Sequence, residues 1–369
     1  MNIIFLSRSD PKNINIWSGT LYHIYNKLKE KHNIEIIGIE ILNQLTLYTK
    51  GNLSENVFIF PDRYVRTLNT LLSERINAKN CDLLFFGDLF FVPFLEIRVP
   101  IVYLSDITFD QLRPYYRKPD EKRDKFYMNL EELLFEKSFK IIFSSEWIMK
   151  KAVERYQLDF NKINIVEFGA NISTPQNFSI DMNMDICRLV FIGTDWKRKG
   201  GDIVLQTYQI LKKKGLPCTL TIIGSTPEDE PEEDENLTII PRLDKSIPED
   251  LKRLNDILSE SHFLVLPTRF DAFGIVFCEA SAYALPSITA NVGGVSQAVK
   301  EGKNGFLLPA DATAQDYAEK IITVFCDKDN YINLRQSSRI EFETRLNWDV
   351  WGEKVNKILE DTVREWKQL

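Results

Sequence analysis

Two carboxylates stand on either side of a glycine turn in the stretch from Pro267 to Glu279. Asp271 and Glu279 have seven residues between them, and Gly274 lies in that interval. The apolar run before the stretch has the length of a buried strand, and the residues after it predict a helix. Helix N-terminal amides bind phosphate, and carboxylates accept hydrogen bonds from hydroxyl groups. The pattern favours a polyhydroxylated anion as ligand, and an ordinary strand–helix junction with an acidic cap is the alternative.

This stretch and the block Phe191–Gly200 resemble family 4 of the retaining glycosyltransferases with the GT-B fold. That family carries Glu, seven residues, Glu, with Gly-Phe-Gly after the first Glu; here Asp271 and Ala272 replace the first Glu and the first Gly. The block Phe191–Gly200 is similar to the family's Gly-Arg, four residues, Lys-Gly. The resemblance covers nearly the whole chain and is strongest from 189 to 308.

The resemblance implies roles for individual residues. Lys199 would grip the donor diphosphate, where a cation stabilises the negative charge that develops on the leaving group. Glu279 would hold the ribose hydroxyls, and Asp271, one methylene shorter than the family Glu, would face the donor hexose. Asp106 completes the catalytic set, and the donor-binding set consists of Gly19, Thr194, Arg198, Phe273, Gly274, Ile275 and Glu279.

One departure from the family concerns charge at the diphosphate. Thr194 stands where the family has Arg, and Arg198 or Lys197 is the candidate to supply the missing cation, although neither is in register. The alternative for this block is a solvated basic turn.

A second departure concerns the first half of the chain. Many family members use a His after the Pro-Ile-Val-Tyr strand, and here Asp106 or Ser105 takes that place. A carboxylate there could bond a sugar hydroxyl, and a plain helix cap is the alternative. Gly19 falls in the family's glycine-rich loop under the diphosphate, with a plain Ser or Thr helix cap as the alternative. None of the chain's three histidines matches the family His after the Pro-Ile-Val-Tyr strand.

The composition of the chain limits the domain number, the partners and the compartment that we expect. A chain of 369 residues with 44% hydrophobic and 27% charged residues is typical of two globular domains. A net charge of −7 gives no reason to expect a nucleic-acid partner. Five scattered cysteines predict buried thiols in a reducing compartment, and we expect a cytoplasmic protein because no apolar run has the length of a membrane span.

The organisation follows from alternating apolar and helical segments. Short runs of strand length, among them Val57–Phe60, alternate with helical or loop segments, which predicts an α/β fold with parallel sheets. We expect two Rossmann-like, doubly wound domains that face each other across a cleft, with ligands at the carboxyl ends of the strands. The predicted bounds are 1–172 for the first domain, 173–187 for a linker and 188–349 for the second domain. Trp348 and Trp351 precede a final helix, and the resemblance implies that residues 350–369 pack back on the first domain.

We expect no cofactor and no required metal. The only Asp-x-Asp triplet, Asp327-Lys-Asp329, is predicted to be a solvated turn, and the acidic run Pro227–Glu235 a solvated loop. The stretch Asp110–Lys125 contains basic residues and tyrosines that could meet an acidic acceptor or an anionic membrane surface. A solvated charged helix start is the favoured interpretation of that stretch.

These features predict a retaining glycosyltransferase. The donor would be a nucleotide diphosphate sugar of the UDP or GDP type, and the acceptor a hydroxyl group on a glycan, a lipid-linked sugar or a small molecule. Two alternatives stay open: a GT-B scaffold that has lost catalysis and serves as a partner subunit, and a nucleotide-sugar epimerase.

Overall fold

The structure, a computed structural model, describes residues 1–38, 62–87, 93–116, 120–173, 175, 178–227 and 233–369. The predicted strand Val57–Phe60 lies outside these ranges, as do 228–232 of the acidic run and Arg117 and Lys118 of the basic stretch. The described chain divides into two compact units, Met1–Val166 with Gly352–Leu369, and Glu167–Trp351. The described residues of the predicted linker 173–187 fall in the second unit.

The first unit is built on a parallel sheet, with six strands in the described residues and the order β2-β1-β3-β4-β5-β6. The strands are β1 Asn2–Ser7, β2 Asn33–Gly38, β3 Leu83–Phe86, β4 Ile101–Ser105, β5 Lys140–Phe143 and β6 Ile163–Ile165. The helices between them are α1 Thr20–Lys29, α2 Asp62–Asn77, α3 Phe109–Tyr116, α4 Glu121–Lys137 and α5 Glu146–Tyr156. The core lies between the sheet and helices α2, α4 and α5.

The second unit repeats the design with the strand order β12-β11-β10-β7-β8-β9, again parallel throughout its described residues. Its strands are β7 Cys187–Ile192, β8 Cys218–Ile223, β9 Leu237–Ile240, β10 Phe263–Leu266, β11 Ser287–Ala290 and β12 Gly305–Leu308. Its helices are α6 Trp196–Lys199, α7 Gly201–Lys213, α8 Pro248–Glu260, α9 Ile275–Ala282, α10 Val295–Ala298, α11 Ala314–Phe325 and α12 Lys328–Thr344.

One of the two central strands of the second sheet shows why short apolar runs predict buried parallel strands. Phe263–Leu266 is fully buried along its length, because parallel strands are covered on both faces and therefore read as continuous apolar runs. The prediction of two doubly wound parallel sheets is confirmed.

The last helix, α13 Trp348–Trp366, contains the point where the two units divide. Trp348 and Trp351 lie in its first turn, so the prediction that they precede the helix is wrong. Within the first unit, Nε2 of His32 lies 2.8 Å from Oδ1 of Asn356. A Cβ at Gly352 would lie 2.6 Å from Cγ of Lys27, so glycine allows close contact there.

The cysteines are all free thiols, but they are not all buried. Cys187, Cys218 and Cys278 are buried, whereas Cys81 is partly exposed and Cys326 is exposed. The prediction of five buried thiols is therefore wrong for the last two. In the described part of the chain, we find no helix with the length and apolar character needed to cross a membrane.

Candidate functional site

The loops after β7 and β10 meet at the carboxyl edge of the second sheet. These two strands are neighbours, although the chain builds β8 and β9 on one side of them and β11 and β12 on the other. That reversal is the place where open α/β sheets bind ligands. Nζ of Lys199, after β7, lies 2.7 and 2.8 Å from the two carboxylate oxygens of Asp271, after β10. The structure therefore brings two predicted site residues into one ion pair.

The loop after β7 forms a short helix because both of its ends are fixed locally. Asp195 caps α6 by accepting from the amide of Arg198 at 3.1 Å. Gly200 follows in the left-handed region with φ +76°, and a Cβ there would lie 2.0 Å from the carbonyl oxygen of Pro267. The amide of Arg269 donates to the carbonyl of Arg198 at 2.7 Å. Glycine thus permits the close contact that joins the two loops.

Arg198 is a fixed part of the site. Its Nε donates to Asp195 at 3.1 Å and its Nη1 to the carbonyl of Phe270 at 3.0 Å. Nη1 also lies 3.8 Å from Oδ1 of Asp271. The side chains of Arg198 and Lys199 are 16% and 13% exposed, so the alternative of a solvated basic turn is wrong. Thr194 lies in the same loop and is exposed.

A third loop holds the backbone of Asp271. The amide of Gly294 donates to the Asp271 carbonyl at 3.0 Å. Gly293 has φ +53°, and a Cβ there would lie 2.1 Å from the same oxygen. Glycine at position 293 therefore lets this loop approach the Asp271 backbone closely.

Helix α9 carries Glu279 and begins beside Asp271. Gly274 is its N-cap with φ +91° and makes no side-chain cap bond, so the alternative of an acidic cap is wrong. The first amides of a helix have no partner within it, and Gly274 and Ile275 are only partly buried. The Phe273 ring is buried and lies edge-on to Phe168 at 5.4 Å, so only its backbone is suited to a ligand.

Sequence reasoning missed the partner of Glu279. The Glu279 side chain is 5% exposed, and Nζ of Lys245 lies 2.5 Å from its Oε1. Lys245 follows β9, so it too comes after the carboxyl end of a strand of this sheet. That position could have drawn attention to it, but the 34-residue separation from Glu279 gave no pairing signal.

Gly19 and Asp106 belong to the first unit and follow β1 and β4. Gly19 is the N-cap of α1 with φ +96° and no side-chain cap bond, so the alternative of a Ser or Thr cap is wrong. Helix α3 begins at Phe109, whose amide donates to the buried carboxylate of Glu131 at 2.9 Å. Asp106 stands three residues earlier, so its alternative as a helix cap is also wrong.

The remaining charged features have local partners. Arg113 lies 3.3 Å from both Asp110 and Asp124, in keeping with the favoured interpretation of a charged helix start. Asp327 caps α12 through the amide of Asn330, and its triplet is exposed. Across the ranges that the structure describes, no group of three or more His, Cys, Asp or Glu residues is placed to hold a metal ion.

Comparison with known proteins bears directly on the second unit. Residues 187–327 match a family model described as glycosyl transferases group 1. This range of the second unit is therefore similar to the group 1 glycosyltransferases. This is the family that the motifs of the sequence resembled. The matched range contains Lys199, Arg198, Lys245, Asp271 and Glu279.

Two relatives show how far the likeness extends along the chain. D-inositol 3-phosphate glycosyltransferase of Corynebacterium efficiens is 22% identical over 281 residues, which cover 71% of this chain and 65% of the relative. The capsular polysaccharide biosynthesis glycosyltransferase CapM of Staphylococcus aureus is 26% identical over 239 residues, or 61% of this chain and 62% of CapM. The chain therefore spans less than two thirds of the length of either relative.

Solved structures with a similar fold support the architecture of the described residues. A glycosyltransferase from Rickettsia africae has a TM-score of 0.66 at 14% identity and covers 98% of both chains. Anabaena HepE, in complex with UDP and glucose, has a TM-score of 0.64 at 15% identity and covers 98% of this chain and 99% of HepE. The GT-B class predicted for the two Rossmann-like units is confirmed.

Proposed function

We propose that the protein is a retaining glycosyltransferase that moves a hexose from a nucleoside diphosphate sugar to a hydroxyl acceptor. The observation that carries the proposal is the Lys199–Asp271 pair at the reversal of strand order in a group 1 glycosyltransferase unit. Support for the donor class comes from HepE, whose structure holds UDP and glucose.

The proposed chemistry uses charge that is already in place. Lys199 and Arg198 stabilise the diphosphate as it leaves, which in enzymes is often the largest catalytic contribution. Asp271 and the amides beside Gly274 bind the hexose, and Glu279 binds the ribose hydroxyls. Retention then follows from attack on the face that the leaving group vacates, with the departing phosphate accepting the proton of the acceptor hydroxyl.

Gly19 and Asp106 are assigned by resemblance alone. In the proposal, Gly19 lies under the diphosphate and Asp106 contacts the donor sugar. Hydrolysis of the donor in the absence of acceptor, compared between wild type and Asp106→Asn, tests the second role.

No metal is required in this proposal, because Lys199 and Arg198 supply the positive charge that a divalent ion supplies elsewhere. Activity should therefore persist in EDTA. Loss of activity in EDTA with recovery in Mg²⁺ or Mn²⁺ would assign the charge stabilisation to a metal.

The deciding experiment follows release of nucleoside diphosphate from a panel of UDP and GDP sugars. Release that depends on an added hydroxyl acceptor supports transfer. Donor binding without release would instead favour a scaffold that has lost catalysis, an outcome that the uncharged Thr194 at the family Arg position makes worth testing. Conversion of the donor sugar without acceptor would indicate an epimerase.

A further inference from the structure

We propose that Lys245 is the residue that positions Glu279 and thereby sets the preference of the nucleotide site for ribose. This inference rests on the proposed function, because it concerns how the same site recognises its nucleotide. It assigns a role to a residue that the sequence motifs do not include.

The contact itself is strong and enclosed. Nζ of Lys245 lies 2.5 Å from Oε1 of Glu279, and the two side chains are 19% and 5% exposed. A carboxylate so far removed from water is costly unless a cation pairs with it, and removal of one partner of such a pair destabilises strongly. Lys245 therefore supplies the positive charge that makes a buried Glu279 tolerable.

The loop that carries Lys245 is rigidly built. The amide and the hydroxyl of Ser246 donate to Oδ1 of Asp244 at 2.9 and 2.6 Å. The amide of Asp244 donates in turn to Asp250, in the first turn of α8, at 2.9 Å. Nζ of Lys245 also reaches the carbonyl oxygen of Asn171 at 3.4 Å. The ammonium is thus held from two sides, and its position fixes that of the carboxylate.

Lys245 pairs with only one of the two Glu279 carboxylate oxygens, and this matters for recognition of a ligand. Lys245 bonds Oε1, and no described residue donates a hydrogen bond to Oε2 of Glu279. A carboxylate oxygen held in this way is prepared to accept from a ligand hydroxyl, and ribose offers a 2′- and a 3′-hydroxyl. The third N–H of the ammonium can donate to an oxygen of the same sugar. A site built to bond a hydroxyl rejects the analogue that lacks it, since its buried polar group is then left unpaired.

The test measures binding of UDP and GDP by calorimetry to wild type, Lys245→Met, Lys245→Arg and Glu279→Gln. The tighter nucleotide is then compared with its 2′-deoxy and 3′-deoxy forms. We expect wild type to prefer the ribonucleotide by at least tenfold over one deoxy form. Lys245→Met should weaken ribonucleotide binding about tenfold or more and reduce that preference, whereas Lys245→Arg should restore part of both.

A double variant distinguishes the positioning of Glu279 by Lys245 from a general loss of structure. If Lys245 acts through Glu279, Lys245→Met should have little further effect in the Glu279→Gln background. Lys252→Met, which alters a 76% exposed lysine on α8, is the matched control. The inference is overturned if Lys245→Met keeps both the affinity and the ribose preference, or if its effect is additive with Glu279→Gln.

Failure of the proposed function would give a different experimental result from failure of this inference. Wild type that binds neither UDP nor GDP would overturn the nucleotide site as a whole, including this inference. Wild type that binds a nucleotide normally while Lys245 proves irrelevant would overturn this inference alone.

Discussion

Lys199 and Asp271 stand 72 residues apart in the sequence, yet the lysine Nζ contacts both oxygens of the carboxylate, at 2.7 and 2.8 Å. Their side chains are only 13% and 12% exposed. The pair is thus a preformed ion pair at the carboxyl edge of the sheet. In the proposed mechanism, a bound diphosphate would share the lysine with Asp271.

Replacement of Lys199 by alanine should lower turnover more than it lowers donor affinity. The expected loss is on the order of 10²- to 10³-fold, as for removal of one preorganised electrostatic donor. The measurement is steady-state kinetics with the donor identified in the screen. Lys213→Ala, at an exposed position on α7, is the control and should match wild type. Unchanged turnover in Lys199→Ala would remove the diphosphate role from this residue.

Replacement of Arg198 by alanine should also impair turnover, on the order of 10²-fold, if Arg198 supplies the charge that Thr194 lacks. Arg198→Lys should recover little, because the planar guanidinium bonds both Asp195 and the Phe270 carbonyl in a fixed geometry. Kinetics should be taken well below the melting temperature, so that lost stability does not imitate lost catalysis. A nearly silent Arg198→Ala would show that the site works without this second cation.

Glu131 gives the first unit a pH-dependent stability. Burial raises the pKa of its carboxyl to about 7 from 4.5, although the Tyr156 hydroxyl and the Phe109 amide donate to it. The folded protein therefore binds this proton more tightly than the unfolded chain does. The stability from this group is complete below pH 4.5 and is lost as the pH rises to about 7.

Urea unfolding of wild type and Glu131→Gln at several pH values measures this effect. The amide cannot ionise, so the variant lacks the titration. The difference in unfolding free energy, wild type minus variant, should fall by about 2–3 kcal/mol between roughly pH 5 and pH 8. A difference that stays constant over this range would mean that Glu131 does not titrate there.

Arg335 should prove to be the main internal support of α9. It is fully buried, and its guanidinium donates to the carbonyls of Ser179, Ser261 and Tyr283 at 2.5, 3.4 and 3.3 Å. Two of these carbonyls belong to the residues that end α8 and α9, where the helix dipole is negative. The positive charge is thus stabilised by helix ends.

Arg335→Met should lower the unfolding free energy by roughly 3 kcal/mol or more, because it leaves buried carbonyls without a donor. Arg253→Met, at an exposed position on α8, should change it little and is the control. Thermal melts of the two variants, followed by circular dichroism, make the comparison. Equal melting temperatures would show that water or neighbouring donors replace the guanidinium.

Much of the architecture could be read from the sequence, because parallel strands are continuous apolar runs. The Lys199–Asp271 contact depends on strand order, which places β7 beside β10 and which the apolar runs alone do not predict. The Lys245–Glu279 contact depends instead on the path of a polar loop that has no periodic signal. Cys326 was predicted to be buried because the scattered cysteines suggested buried thiols, but α11 ends at Phe325 and Cys326 is exposed.

Glycines show a second limit of prediction from the sequence. A glycine permits a left-handed φ or a close approach, but its presence does not say which neighbour approaches. The sequence, for example, does not reveal that Gly293 lies against the Asp271 carbonyl. Only the folded structure shows which atom a Cβ at the glycine position would contact.

The division of the chain within α13 has a consequence for biosynthesis. The ribosome makes the six described strands of the first sheet before any strand of the second, yet it makes Gly352–Leu369 after all of Glu167–Trp351. The contacts of Asn356 with His32 and of Glu365 with Lys140 therefore form late. The second unit is contiguous in the sequence, whereas the first has all of its residues only after the last described helix has been translated.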